Sequence, residues 1–145
     1  LLYPSLCLLE AANVSVGRGT STPFQVYGFP NYSEGVYEFT PVSIPGASKY
    51  PKFENITCRG FDLTVVSNQE IIDRASINWE YVWKMYDVLG EEGFFKNLNY
   101  FQKLSGSDAL HQALLNGMSI EEFKESYQPE LESFNQIRAK YLLYP

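Results

Sequence analysis

The sequence has little that would bind metals, nucleic acids or membranes. Its 145 residues include one histidine and two cysteines, too few for a His- or Cys-based metal cluster. Eleven Lys and Arg residues against 17 Asp and Glu give a net charge of -6, which disfavours phosphate backbones. No apolar run approaches the roughly 18 residues of a membrane span. We therefore expect no metal, no cofactor, no nucleic-acid partner and no membrane span.

The composition is otherwise that of a folded domain. With 45% hydrophobic and 16% aromatic residues, the sequence predicts one domain over residues 1–145, strand-rich over 1–67 and helix-rich over 68–145. Cys7 and Cys58 are interpreted as two buried thiols, with a disulfide as the alternative if the domain lies outside the cytoplasm. The apolar run 6–9 begins almost at once, without a leader. We therefore expect a piece of a longer protein that lacks its upstream part.

The first half of the chain carries strand signals. Four apolar or alternating segments predict strands at 6–9, 24–27, 36–39 and 59–66. Between the last two, residues 40–55 contain three prolines and are expected to form a loop or an edge, because proline cannot donate to a strand ladder.

The second half carries helical periods. Asn68 is a candidate cap for a helix over 69–74, and an apolar stripe over 79–89 predicts a second helix that stops at Gly90. A third helix is expected from Ser107 to Gly117. Ser119 and Glu122 form a capping-box pattern, and Pro129 is predicted to begin a further helix. Strands followed by helices predict an α+β fold, with a mixed sheet from the first half packed against helices from the second.

The loop over residues 10–23 is the best candidate for a binding site. It follows a predicted strand, and its two glycines allow the backbone to turn and to aim N–H groups at one point. Arginine between them offers a planar fork that suits a carboxylate. The candidate ligand-binding residues are Glu10, Asn13, Ser15, Gly17, Arg18, Gly19 and Thr20.

Plainer interpretations stand beside this one. The Gly-Arg-Gly segment is also typical of an ordinary turn, in which Arg18 pairs with Glu10. It is not a phosphate-binding P-loop, since no Gly-Lys-Ser/Thr follows. His111 is interpreted as a surface or packing residue, and Trp79 and Trp83 as core. A glycosidase normally needs two carboxylates, and the loop offers one.

Nine segments of the chain resemble a bacterial family first known as DUF1343 and now associated with exo-β-N-acetylmuramidases of the NamZ type. The most specific is the pair Tyr-Pro-Ser-Leu-Cys-Leu-Leu-Glu at 3–10 and Asn-Val-Ser-Val-Gly-Arg-Gly-Thr at 13–20. The others lie at 23–24, 39–41, 48–50, 58–60, 104–108, 126–132 and 138–145.

The resemblance implies a function. The chain would be the carboxy-terminal domain of a peptidoglycan-degrading glycoside hydrolase that removes terminal N-acetylmuramic acid. A Rossmann-like amino-terminal domain would carry the catalytic glutamate, so no catalytic residue is expected here, and the candidate loop would contribute substrate contacts to an interdomain cleft. The substrate class implies an extracytoplasmic location. The alternative is a non-catalytic domain that binds saccharide or docks a partner protein.

The chain departs from the family pattern at one place. Where the family usually has Glu-Gly-Thr-Asn, this chain has Glu10-Ala11-Ala12-Asn13. The change removes the backbone freedom of glycine and the hydroxyl of threonine. It makes Ala11 and Ala12 the positions where this loop is expected to differ in shape.

Overall fold

A computed structural model describes residues 1–143 and divides into two compact units. The first covers Leu1–Ser107 and the second begins at Asp108. Tyr144 and Pro145, which end the last segment of family resemblance, lie outside the described residues. The expectation of one domain over 1–145 stays a prediction.

The first unit contains all the strands and most of the helices. Its strands are β1 (Val26–Phe29), β2 (Tyr37–Phe39) and β3 (Cys58–Asp62). Its helices are α1 (Tyr3–Leu6), α2 (Asn68–Arg74), α3 (Glu80–Phe94) and α4 (Leu98–Ser105), and a 3-10 helix, Cys7–Ala11, follows α1. The second unit contains α5 (Ala109–Leu115), α6 (Ile120–Arg138) and a 3-10 helix, Ala139–Tyr141.

The strands form one sheet in the order β1-β3-β2. The α+β class is confirmed, although both strand pairs are antiparallel where the sequence predicts a mixed sheet. No helix crosses between these strands to return the chain in parallel. Gly28 pairs with Gly60, and a Cβ on Gly60 would lie 1.9 Å from the carbonyl oxygen of Tyr27. The two backbones therefore approach closely in the middle of the sheet.

The strand prediction for residues 6–9 is wrong. These residues end α1 and begin the 3-10 helix Cys7–Ala11. Leu6, Leu8 and Leu9 are buried as expected. A short apolar run predicts burial, but it does not distinguish a buried strand from a buried helical turn. Pro4, at the start of α1, favours the helical geometry because its fixed φ suits the first turn.

The other strand predictions are shifted rather than wrong. β1 begins two residues later than the predicted 24–27, and Phe24 has a positive φ of 57°. β2 lies inside the predicted 36–39. β3 covers the first part of the predicted 59–66 and ends at Asp62, whose carboxylate accepts a hydrogen bond from the Thr64 amide.

The helix predictions for the second half of the chain agree more closely with the structure. Ser67 rather than Asn68 caps α2, by accepting a hydrogen bond from the Glu70 amide. In α3 the helical geometry breaks at Gly90, as predicted, although helical turns resume and continue to Phe94. The α4 helix has no counterpart in the prediction. Asn97 caps its start, because the Asn97 side chain accepts a hydrogen bond from the Tyr100 amide.

The α6 helix confirms one prediction and corrects another. Ser119 and Glu122 form the predicted capping box. Pro129, predicted to begin a new helix, lies inside one continuous helix instead. Four apolar residues of α6 and of the 3-10 helix that follows it are more than 40% exposed: Leu131, Phe134, Ile137 and Tyr141.

Candidate functional site

The candidate loop leaves the 3-10 helix Cys7–Ala11, against which α4 packs. The Asn13 amide donates a 2.8 Å hydrogen bond to the Phe94 carbonyl, and the Asn97 amide donates a 3.3 Å bond to the Ala11 carbonyl. Ala11 and Ala12 are both buried. The two alanines that depart from the family pattern therefore belong to the packed base of the loop.

Beyond Asn13 the loop joins the edge of the sheet. Ser15 exchanges two backbone hydrogen bonds with Gly28 of β1, of 2.7 and 3.0 Å. The Ser15 hydroxyl accepts a hydrogen bond from the Gly17 amide. Gly17 has a φ of 76°, and a Cβ there would lie 2.6 Å from Val26. Ser15 and Gly17 thus fix the turn that presents Arg18.

Gly19 and Thr20 serve the same turn from its other side. The Val42 amide donates a hydrogen bond to the Gly19 carbonyl. The Thr20 hydroxyl donates a 2.7 Å hydrogen bond to the Gly17 carbonyl and accepts one from the Thr22 amide. Thr20 therefore stabilises the loop that holds Arg18.

Arg18 is exposed at the tip of the Gly-Arg-Gly turn, between two buried glycines. Its Nε donates a 2.6 Å hydrogen bond to a carboxylate oxygen of Glu10, which confirms the pairing given as the plainer interpretation. Its guanidinium lies 4.9 Å from the centre of the Phe24 ring. The Arg18 side chain is 46% exposed and that of Glu10 is 15% exposed. Among residues 1–143, no hydrogen-bond partner takes the two terminal nitrogens of Arg18.

Arg18 and Glu10 open onto a cleft of about 430 Å³. The cleft is lined by Glu10, Val14, Ser15, Val16, Arg18, Tyr50, Pro51, Lys52, Phe53 and Lys96. It brings three cations together with one carboxylate. Apart from Ser15, aromatic and apolar residues line the rest, a combination typical of sites that take a polar small molecule.

Lys52 is the most constrained cation of the cleft. Its Nζ donates hydrogen bonds to the carbonyls of Glu10, at 3.2 Å, of Val14, at 2.9 Å, and of Ala12. Burial lowers the pKa of Lys52 to about 8, and the positive charge of Lys96 acts in the same direction while the Glu10 carboxylate opposes it.

The predicted site residues fall into two groups. Glu10, Ser15 and Arg18 line the cleft. Gly17, Gly19, Thr20 and Asn13 are not among its lining residues, and the first three shape the loop. A role for any of the seven in binding saccharide stays a prediction.

Sequence reasoning missed the opposite wall of the cleft. Tyr50, Lys52 and Phe53 come from the proline-containing loop, and Lys96 follows α3. No local signal marks Lys52, because its three acceptors lie 38 to 42 residues earlier in the chain. The sequence shows only that a lysine directly follows Pro51, a residue whose ring fixes its own φ.

The other candidates are not among the residues that line this cleft. His111 is buried in α5, and Trp79 and Trp83 are half-buried. In the described part of the chain, Cys7 and Cys58 are free thiols, and no group of three His, Cys, Asp or Glu residues is placed to hold a metal ion. No helix within that part is long and apolar enough to cross a membrane.

Comparison with known proteins gives a consistent family. The model of the family described as "Exo-beta-N-acetylmuramidase NamZ, C-terminal" matches residues 1–144. A curated relative is the peptidoglycan beta-N-acetylmuramidase NamZ of Bacillus subtilis strain 168, which is 28% identical over 153 residues. The alignment covers 99% of this chain and 37% of that protein.

A solved structure shares the fold. The crystal structure of a DUF1343 family protein from Bacteroides fragilis NCTC 9343, at 1.30 Å resolution, superposes with a TM-score of 0.88 and 41% sequence identity. The match covers 99% of this chain and 40% of that one. The chain thus spans about two fifths of the length of both relatives.

Proposed function

The chain belongs to the family of NamZ carboxy-terminal domains, and from this we propose that it is the saccharide-binding part of a peptidoglycan-degrading exo-β-N-acetylmuramidase. The cleft beside Arg18 contributes substrate contacts, and an upstream Rossmann-like domain supplies the catalytic carboxylate. Its place of action is outside the cytoplasm, where peptidoglycan lies.

The single observation that carries the proposal is the state of Arg18. The guanidinium is half-exposed at a cleft, and Glu10 engages only its Nε. The two terminal nitrogens form the edge of the fork that binds a carboxylate bidentately. N-acetylmuramic acid differs from N-acetylglucosamine by a lactyl carboxylate. A bidentate contact to that group would let the domain distinguish the two sugars.

The rest of the cleft supports this assignment. Three lining side chains are apolar and suit the apolar face of a sugar ring: Val14, Val16 and Phe53. The exposed Tyr50 ring offers a surface for stacking. Glu10 is the one carboxylate among the lining residues. Because glycoside hydrolysis normally uses two, this cleft by itself fits binding better than bond cleavage.

Arg18→Ala tests the proposal. A charge-assisted hydrogen bond is worth about 1.5–3 kcal/mol, so we expect affinity for N-acetylmuramic acid to fall about tenfold to a hundredfold. Affinity for N-acetylglucosamine should stay within about twofold, since that sugar lacks the carboxylate. Isothermal titration calorimetry on the chain measures both.

Two further variants sharpen the result. Arg18→Lys keeps the charge and loses the planar fork, so it should recover part of the affinity. Arg74→Ala is the matched control: Arg74 is comparably exposed and faces a glutamate, Glu70, but it lies on α2 away from this cleft. Equal binding of both sugars by the wild-type chain would contradict the proposal, and so would an unchanged preference in Arg18→Ala.

Turnover distinguishes the proposal from its alternative. The intact gene product should release N-acetylmuramic acid from peptidoglycan fragments, and Arg18→Ala should lower kcat/KM in that reaction. Binding with the same preference but no hydrolysis by the intact product would instead identify a non-catalytic saccharide-binding domain.

A further inference from the structure

Lys52 reaches across the cleft to the base of the candidate loop. It lies in the proline-containing loop between β2 and β3, while its three acceptors are the carbonyls of residues 10, 12 and 14. These carbonyls belong to alternate residues, and the extended backbone at Ala12, with φ -87° and ψ 170°, turns them to one side. The Lys52 side chain thus holds three backbone carbonyls at the base of the loop.

This arrangement decides what Lys52 can do. A lysine ammonium has three N–H donors and no acceptor. All three are directed at backbone carbonyls, so none is left to bind a ligand. Lys96 differs, because it is exposed and lines the same cleft. Of these two cations, Lys96 is the one whose ammonium faces solvent.

We infer that Lys52 is a positioning residue, which holds residues 10–14 in the shape that places Glu10 and Arg18 at the cleft. The Glu10 carbonyl accepts from Lys52 while the Glu10 carboxylate accepts from Arg18. A shift of the backbone at Glu10 would therefore move the partner of Arg18. The importance of this for saccharide binding rests on the proposed function, but the anchoring of the loop does not.

The protonation of Lys52 gives the inference a second signature. Burial lowers its pKa to about 8. Two charged groups face Lys52: Lys96, after α3, lowers the Lys52 pKa, and Glu10, near the end of the 3-10 helix, raises it. Arg18 and Tyr50 line the same cleft. A neutral amine has two N–H donors. Above about pH 8, at least one of the three carbonyls therefore loses its partner.

The experiment follows the amides of residues 10–14 by NMR in the ligand-free chain, from pH 6.5 to 9.5. In the wild-type chain we expect these signals to shift with a midpoint near pH 8. In Lys52→Met the shift should be absent, and the same amides should exchange with solvent at least tenfold faster. Lys49→Met is the matched control, because Lys49 is an exposed lysine of the same loop that does not line the cleft. It should leave the midpoint and the exchange rates within twofold of wild type.

Affinity for N-acetylmuramic acid is then measured on the same variants. Lys52→Met should bind at least tenfold more weakly, with altered loop signals. Lys96→Met should also bind more weakly but leave the loop signals in place at pH 6.5, where Lys52 is protonated in both proteins. Equal loss of affinity in both variants with unperturbed loop signals would overturn the inference, because Lys52 would then act by charge alone.

The two proposals fail in different ways. If the wild-type chain binds no saccharide, the proposed function fails, while the ligand-free pH titration still decides the role of Lys52. If Lys52→Met does not fold, the wild-type titration alone decides. Absence of a loop transition between pH 7 and 9 would then overturn the inference.

Discussion

Two glycines with nearly the same backbone angle lie in very different surroundings. Gly19 has a φ of 83° and Gly46 a φ of 81°, both in the left-handed region. A Cβ on Gly19 would lie 2.6 Å from the Val42 carbonyl oxygen and 2.8 Å from Pro51. A Cβ on Gly46 would meet nothing within 4 Å. Only Gly19 combines backbone strain with crowding from the wall of the cleft.

Gly19→Ala is therefore expected to destabilise the chain more than Gly46→Ala. The unfavourable φ costs about 1 kcal/mol in both, and the forced movement of Val42 and Pro51 adds roughly 1–3 kcal/mol in Gly19→Ala alone. Urea unfolding followed by tryptophan fluorescence measures the difference. Equal free energies of unfolding for the two variants would show that the loop and the proline-containing segment are not in the contact described.

At the residue scale, sequence reasoning identifies the loop but not the wall it faces. The pattern Gly-Arg-Gly indicates a turn that presents an arginine, and the structure has that turn. The pairing of Arg18 with Glu10 was accessible because both belong to one short segment. The hydrogen bonds of Lys52 were not, because they join parts of the chain that only the fold brings together.

At the scale of elements, α6 contains a residue that helices normally exclude. Pro129 has no N–H to donate, and its ring crowds the carbonyl four residues earlier, yet the helix continues from Ile120 to Arg138. Its neighbours Gln128 and Glu130 are exposed like Pro129 itself. Nothing in the burial pattern requires a proline there.

Pro129→Ala should stabilise α6. The propensity difference between alanine and proline in a helix interior is about 3 kcal/mol, and we expect roughly 1–3 kcal/mol of it as a higher free energy of local opening. Amide hydrogen exchange over Ile120–Arg138 measures this, with Gln128→Ala as the control, expected to change the value by a few tenths of a kcal/mol. Faster exchange in Pro129→Ala would contradict the expectation and show that the ring contributes packing.

The accuracy of the element predictions follows the strength of their signals. The capping box at Ser119 and the break at Gly90 were predictable because each depends on a local hydrogen-bonding or backbone preference. The helical conformation of residues 6–9 was not predictable, because a short apolar run indicates burial and not the kind of element. The α4 helix was missed because it is only eight residues long, so its apolar spacing at Leu98, Phe101 and Leu104 gives a short signal.

At the scale of the molecule, the charge of the cleft opposes that of the chain. The chain carries a net charge of -6, while the cleft lining contains three cationic residues and one anionic one. A cleft of one sign on a surface of the other focuses the field and attracts ligands of opposite charge. This fits a carboxylate-bearing sugar. The positive charge of the cleft could not be predicted from the composition, which gives only the net charge of the chain.

The proposed function rests on resemblance to a family rather than on chemistry visible in the chain. Composition and motifs gave no signal for a metal, nucleic-acid or membrane site, and the α+β class followed from the order of strand and helix signals. The family followed from the specific segment at the start of the chain, and the match over residues 1–144 supports it. The proposal assigns the catalytic step to residues outside this chain, since the cleft lining holds a single carboxylate.

The central claim is that the cleft beside Arg18 recognises the lactyl carboxylate of N-acetylmuramic acid. The most direct test is to titrate the isotopically labelled chain with N-acetylmuramic acid, and separately with N-acetylglucosamine, while observing backbone amides and the Arg18 Nε–H by NMR. We expect saturable shifts at Ser15, Arg18 and Phe53 with the first sugar and at least tenfold weaker binding of the second. Shifts of equal size and midpoint with both sugars, or shifts confined to residues outside the cleft, would contradict it.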